Sequence, residues 1–342
     1  MAAERLAATL QRHWWRPHPS WLARALQPLA WLYGALAALH RAASRPAAPL
    51  PVPVVVVGNL IVGGAGKTPT VIALVHALRA HGWTPGVVSR GYGRRDDALR
   101  DVDEAAPAAA VGDEPLLIHR RTGAPVVVGH DRVAAARALL ERHPRVDVIV
   151  ADDGLQHHRL PRDLALVVFD ERGVGNGLLL PAGPLRAPLP ARLPSDTLVV
   201  YNAPTPTTAL PGWMARRRLA GVVPLQAWWH GASPEPASLD ALRARPLAAV
   251  AGIAAPERFF AMLEAEGLAI VRVPQPDHAA YDRLPWPGDA ADVVVTEKDA
   301  VKLDPDRVGA TRVWVATLDF RLDPALEAAL DAHLQPLRKA PR

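Results

Sequence analysis

The sequence predicts an α/β fold built on a mostly parallel sheet, and three observations carry that prediction. Continuous Val/Ile/Leu runs recur along the chain, as in parallel strands covered on both faces. Stretches of helical periodicity separate them. The length of 342 residues, half of them hydrophobic, suffices for one large α/β domain or two smaller ones. The runs fall at 53–57, 86–89, 125–128, 146–151, 164–169, 197–201, 247–251, 268–273, 292–296 and 312–316, and the clearest helical stretches at 68–81, 130–142 and 256–266. Ligands of such sheets gather at the carboxyl ends of strands, and the motifs described below lie at such ends or in loops.

The first element is a basic, tryptophan-rich segment, residues 1–45. It holds six arginines against the single acid Glu4, a charge of +5 that equals the net charge of the whole chain, so the rest is neutral. A neutral body argues against a nucleic-acid binder, whereas a basic segment carrying Trp14, Trp15, Trp21 and Trp31 suits a membrane surface. From Trp21 to Leu39 the run is apolar over about the length of a membrane span, yet it contains Arg24, Gln27 and Pro28. A helix lying in the interface is favoured over a spanning helix or one packed on the body. A Pro-rich linker at 46–51 leads into a core expected over 46–200. Where the pattern weakens, a second, smaller α/β lobe is expected over 201–322, followed by a C-terminal segment, 323–342, whose helix is compatible with packing on either domain.

The chain has no cysteine, which excludes disulfides, thiolate metal sites and a cysteine nucleophile. It has only four lysines, Lys67, Lys298, Lys302 and Lys339, against 35 arginines. A lysine in such a composition marks a place where a compact ammonium is needed instead of a planar fork.

Lys67 lies in the most informative stretch, VVVVGNLIVGGAGKTP, residues 54–69. A valine strand runs into a glycine-rich turn and then a helix with Pro69 in its first turn, the context of a phosphate loop. Ile61 stands where the general GxxxxGK[ST] pattern has its first glycine, but the GGxGKT core is intact. Gly63, Gly64 and Gly66 would let the backbone approach phosphate, Lys67 would reach the β- and γ-phosphates, and Thr68 would ligate Mg²⁺. About 85 residues on, the strand VDVIVADDG ends in Asp152 and Asp153, candidates for holding that cation. The following Gln156, His157, His158 and Arg159 read as a polar site wall or plain surface. Gly112-Asp113-Glu114-Pro115 reads either as a helix start capped by Asp113 or as a pair of working carboxylates. SRGYG at 89–93, PAGPLR at 181–186, PDH at 276–278 and TEKDAVK at 296–302 complete the set.

These motifs, in this order from about residue 10 to 335, resemble the tetraacyldisaccharide 4′-kinases of lipid A biosynthesis, whose phosphate loop also lacks the first glycine. The resemblance implies a P-loop NTPase-like core with a second α/β lobe. It implies ATP and Mg²⁺ as cofactors, and phosphorylation of the 4′-hydroxyl of an acylated glucosamine disaccharide 1-phosphate at the cytoplasmic face of the bacterial inner membrane, with no nucleic acid and no obligate protein partner in view. It assigns Ile61, Val62, Gly63, Gly64, Ala65, Gly66, Lys67 and Thr68, with Gln156 and His157, to the nucleotide. Thr68, Asp152, Asp153 and Glu114 are assigned to the metal, and Asp113 as base, His278 as its partner, Lys67 and Arg186 to catalysis. Ala187 departs from the family, which often has an acid after the arginine of GPLR. With Asp113 in the first lobe and His278 in the second, lobe closure is expected to assemble the pair and exclude water. The competing reading is a membrane-recruited P-loop ATPase switch without kinase activity.

Overall fold

The computed structural model describes residues 9–94 and 96–338. The chain divides into two compact units. One holds the described residues up to Val88, Asp131–Arg216 and those from Leu322 onward; the other holds Ser89–His130 and Arg217–Arg321. Two features differ from the contiguous division expected from the sequence, and the place of the C-terminal helix, left open there, is given. Residues 89–130 leave the first unit, the later boundary falls at Arg216, and the C-terminal helix Pro324–Leu334 groups with the first unit.

In the first unit, strands are ordered Pro85–Ser89, Val148–Asp152, Val54–Gly58, Leu164–Asp170, Thr197–Asn202 and Trp213–Met214, each pair parallel. Val54–Gly58 is central and buried along its whole length, which explains its unbroken valines. The helix Lys67–Ala80 packs on this strand and on Val148–Asp152, burying Val71, Leu74, Val75 and Leu78. Each such side chain contributes roughly 1.5–3 kcal/mol of transfer free energy. Two parallel strands with a crossover helix leave the loop between the strand and helix at the carboxyl edge, where the glycine-rich stretch lies.

The helix Trp21–Ala43 belongs to the same unit and starts at Ser20, whose side chain accepts the Ala23 N–H. Its small face sits on the body: Ala23 and Ala30 are buried, the Tyr33 hydroxyl donates to the Arg186 carbonyl at 2.9 Å, and a Cβ at Gly34 would press on Leu179. On the opposite side Leu29, Leu32, Leu36 and Leu39, three or four residues apart, are exposed, as are Trp21 and Trp31. Pro28 is accommodated inside the helix. Among the described residues, no helix is long and apolar enough to cross a membrane.

The second unit has a five-stranded sheet ordered Ile270–Pro274, Leu247–Ala251, Asp292–Thr296, Arg312–Arg321 and Arg216–Pro224, with the first four parallel. Arg100–Asp101 and Val126–Val128 form a short antiparallel pair. The strand Arg216–Pro224 lies in the stretch where the sequence pattern weakens; it is an edge strand opening with three arginines, so it lacks the apolar run of a central strand.

Candidate active site

In the first unit the glycine-rich stretch forms an open helix start. Gly66 is the N-cap of Lys67–Ala80 with φ of 93°, and no side chain caps the helix, so its first N–H groups point at an open position suited to an anion. Gly63 also has positive φ, 83°. The four carbonyls of Gly63, Gly64, Ala65 and Gly66 each accept a side-chain donor: Asn59 Nδ2 at 3.0 Å, Arg172 Nη2 at 2.7 Å, Asn202 Nδ2 at 3.1 Å and Thr70 Oγ1 at 2.8 Å. Four side chains thus fix the orientation of the loop's peptide groups. A Cβ at Gly66 would collide with Asn202 Nδ2.

Ile61 is fully buried and bridges to Leu185; the Val62 N–H donates to Pro184 O at 2.9 Å and the Arg186 N–H to Leu60 O at 2.7 Å. The first half of the loop is therefore stitched to the GPLR segment as extended chain. An apolar side chain at 61 anchors that seam where the general motif has glycine, so any nucleotide contact made by Ile61 is through its backbone.

Asn59 joins the other polar groups. Its Oδ1 lies 3.3 Å from Lys67 Nζ and 3.4 Å from Arg186 Nη1, and its carbonyl accepts from Gln156 Nε2 at 3.2 Å. Asp153 lies 3.9 Å from Lys67 and 3.4 Å from Arg186. Asp152 and Thr68 are buried beside this group's strand end and helix start. Among the described residues no three His, Cys, Asp or Glu side chains gather as a metal cluster. Mg²⁺ takes one or two carboxylates together with water and phosphate oxygens, and the donors at this strand end and helix start, Asp152, Asp153 and Thr68, are of that kind. The buried Gln156 Oε1 has no hydrogen-bond partner, leaving an acceptor for a ligand or its hydration shell. His157 Nε2 accepts the Arg132 N–H at 3.3 Å, at the start of the helix Arg132–Arg142, and burial together with the Arg132 charge lowers its pKa.

In the second unit, Asp113 and His278 are in contact. The helix Asp113–Thr122 is capped not by Asp113 but by Gly112, with φ of 94°, which leaves Asp113 as the first helical residue. Its Oδ1 accepts the Glu114 N–H at 2.9 Å, and His278 Nδ1 lies 2.9 Å from its Oδ2. His278 itself has φ of 60°, an uncommon backbone state for a non-glycine residue. Lys298 Nζ sits 3.3 Å from His278 Nε2, 3.0 Å from Glu114 Oε1 and 3.0 Å from Asp277 Oδ1. An ammonium only donates, so in the neutral ring Nε2 accepts from Lys298 and the proton is on Nδ1, facing Asp113; in the protonated ring Nδ1 still donates to Asp113 while Nε2–H faces the Lys298 charge. Tyr92 of SRGYG packs its ring 4.9 Å from the His278 ring. Asp299 is fully buried and accepts from Tyr281 Oη, Thr296 Oγ1, Lys302 Nζ and the Gly252 N–H, fixing the end of the loop that carries His278.

The electrostatics follow from these contacts. Burial pushes the Asp113 carboxyl up, but the His278 hydrogen bond and the Lys298, His278 and Lys302 charges outweigh it and hold the carboxyl below its ordinary value. Burial pushes His278 down, and its bond to Asp113, with the Asp113 and Asp277 charges, raises it overall against the opposing Lys298. Burial likewise disfavours the Lys298 ammonium, but Glu114, Asp113 and Asp277 raise its pKa overall. An ionised, partly desolvated Asp113 oriented by an imidazole can accept a proton from a hydroxyl. Glu114 is held by Lys298 in this unit, whereas Thr68, Asp152 and Asp153 belong to the first.

A family model described as tetraacyldisaccharide-1-P 4′-kinase matches residues 22–335. The chain belongs to this family. It is 58% identical over 341 residues to the tetraacyldisaccharide 4′-kinase of Methylibium petroleiphilum, covering 97% of this chain and 95% of the relative. It is 53% identical to that of Leptothrix cholodnii, covering 98% of each chain, and 47% identical to that of Dechloromonas aromatica, covering 97% and 98%. The crystal structure of LpxK from Aquifex aeolicus in complex with ATP matches with a TM-score of 0.74 at 26% identity, over 92% of this chain and 99% of that one.

Asn59, Arg172, Asn202 and Thr70 are residues that motif reading missed. Asn59 and Thr70 border the loop itself, and Asn202 ends a strand, as phosphate-site residues do. Arg172 had one signal, the glycines at 173, 175 and 177 that follow it.

Proposed function

We infer that this chain transfers the γ-phosphoryl group of ATP to the 4′-hydroxyl of an acylated glucosamine disaccharide 1-phosphate, the lipid A reaction that its family's name describes. The observation that supports a kinase reading is the Asp113–His278 pair, a buried carboxylate oriented by an imidazole and suited to accept the proton of a weakly nucleophilic sugar hydroxyl; the family match favours it over an ATPase switch.

The residues divide the work by chemistry. The open helix start and the loop amides bind the phosphates, Lys67 extends to the β- and γ-phosphates, and Arg186 offsets charge on the transferring group. Thr68, Asp152 and Asp153 would hold Mg²⁺, which when bound neutralises the phosphate oxygens. Asp113 accepts the proton of the acceptor hydroxyl. His278 orients Asp113 through Nδ1, and Lys298 sets the ring's tautomer from the other side. Because Asp113 and His278 already touch within one unit, the pair does not need a lobe closure to form.

The exposed leucine stripe of Trp21–Ala43, flanked by Trp21, Trp31 and the basic residues Arg24, His40 and Arg41, supports a place in the membrane interface, where an acylated acceptor is held. We assign the chain to the cytoplasmic face of the inner membrane as a peripheral protein.

Incubation with γ-labelled ATP and the acylated disaccharide 1-phosphate in detergent tests the reading. Label is expected on the lipid; label in free phosphate alone would overturn the kinase assignment in favour of the switch.

A further inference from the structure

The N-terminal segment has a contact that membrane attachment does not require. Trp15 lies with its ring 4.4 Å from the Arg172 guanidinium carbon. Along its Nε–Nη2 edge that guanidinium is clamped by Asp170, with Nε 3.0 Å from Oδ2 and Nη2 2.7 Å from Oδ2. Asp170 is fully buried at the end of the strand Leu164–Asp170. The same Nη2 holds the Gly64 carbonyl at 2.7 Å, and Arg172 Nη1 lies 3.8 Å from where a Cβ of Gly63 would stand. Arg172 is therefore the one charged group among the four that pin the loop carbonyls.

The tryptophan pair is docked, not draped. The Asn176 N–H donates to Trp14 O at 2.8 Å, and Trp14 Nε1 donates to Pro181 O at 2.9 Å. Gly175, with φ of 56°, leaves the space: a Cβ there would collide with the Trp14 carbonyl and come within 3.1 Å of the Trp15 ring. The sequence R-G-V-G-N-G, residues 172–177, thus builds a seat for Trp14 and Trp15 on one side and an arm to the phosphate loop on the other.

We propose that Arg172 is a positioning residue of the phosphate loop and that the Trp14–Trp15 segment, acting through it, makes nucleotide affinity depend on the seating of the N-terminal element. The physical reason is directional. With its carbonyl tied back by a charge-assisted hydrogen bond, the Gly64 peptide keeps one orientation, so the loop amides meet the phosphates without reorganising. Trp15 covers the open face of the guanidinium, limits its hydration and holds its plane toward Gly64. The proposal rests on the loop being the ATP cradle.

The test uses the full chain in detergent. It measures ATP affinity by calorimetry, the KM values for ATP and for the acylated acceptor, and the melting temperature without nucleotide. Arg172→Met should weaken ATP binding by roughly tenfold or more, the scale of losing one charged hydrogen bond. The acceptor KM should stay within about twofold. Arg172→Lys, keeping charge and one donor, should recover part of the loss. Trp15→Ala and Gly175→Ala should each weaken ATP binding severalfold, while Trp15→Phe, which keeps an aromatic face, should restore it. Unchanged ATP affinity in both Arg172→Met and Trp15→Ala would overturn the proposal. So would parallel losses in melting temperature and in both KM values, because they indicate a structural role alone. Failure of the wild-type chain to bind ATP would overturn the cradle reading and the proposal with it.

Discussion

Asp113 and His278 are 165 residues apart in sequence and 2.9 Å apart in space, within one compact unit. The helix that opens at Asp113 and the loop that follows Ile270–Pro274 converge there, and Lys298 closes the far side of the imidazole. The pair is a built feature of that unit.

Asp113→Asn keeps the size of the side chain and removes its basicity. The kcat for lipid phosphorylation should fall by roughly 10²–10⁴-fold, the range attributed to a general base. ATP affinity, measured separately by calorimetry, should change little. Equal losses in both would place Asp113 in nucleotide binding instead.

The pH dependence of stability has a defined sign. His278 is raised above its unfolded value, so its partnership is fully present below about pH 6.5 and is lost as pH rises through the folded value. Asp113 is depressed, so its share is present above the ordinary carboxylate value and lost as pH falls through the lowered one. The difference in melting temperature between wild type and His278→Asn should therefore be largest near pH 5–6 and shrink toward pH 9. A difference that grows with pH would contradict the assignment.

Gly66→Ala places a methyl against Asn202 at a backbone angle of 93°. The loop must shift, since L-residues pay for positive φ and the amide of Asn202 holds Ala65 from behind. ATP binding should fall at least tenfold in a calorimetric titration while the circular dichroism spectrum is retained.

Leu32→Gln with Leu36→Gln alters two exposed side chains of the Trp21–Ala43 helix and leaves its packed face, Ala23, Ala30 and Tyr33, untouched. Co-sedimentation with anionic vesicles at high salt should weaken by roughly tenfold or more, as expected for losing two leucines from an interface. Unweakened binding would show that this stripe is not the membrane contact. Melting temperature should be unaffected.

The lysine argument from composition is met by particular geometry. Lys67, Lys298 and Lys302 have side chains only 10%, 14% and 7% exposed, and each faces at least one carboxylate, so a compact ammonium sits where charge is concentrated. Such a signal was legible because 35 arginines made each lysine conspicuous. The strand ends at Asp152 and the helix at Lys67 were legible for a different reason: hydrophobic runs and glycine spacing are local properties, read within a few residues.

Local pattern settled the α/β class and located the glycine-rich turn between Val54–Gly58 and Lys67–Ala80, because periodicity, glycine and charge act over short stretches of chain. Only the folded structure decided the company they keep. It moved residues 89–130 into the unit of His278, made Ile61 a buried anchor against Leu185, gave His157 to a helix start, and recruited Asn59, Arg172 and Asn202 to hold the loop. Those contacts join segments up to 165 residues apart, and no local property of either partner encodes the meeting.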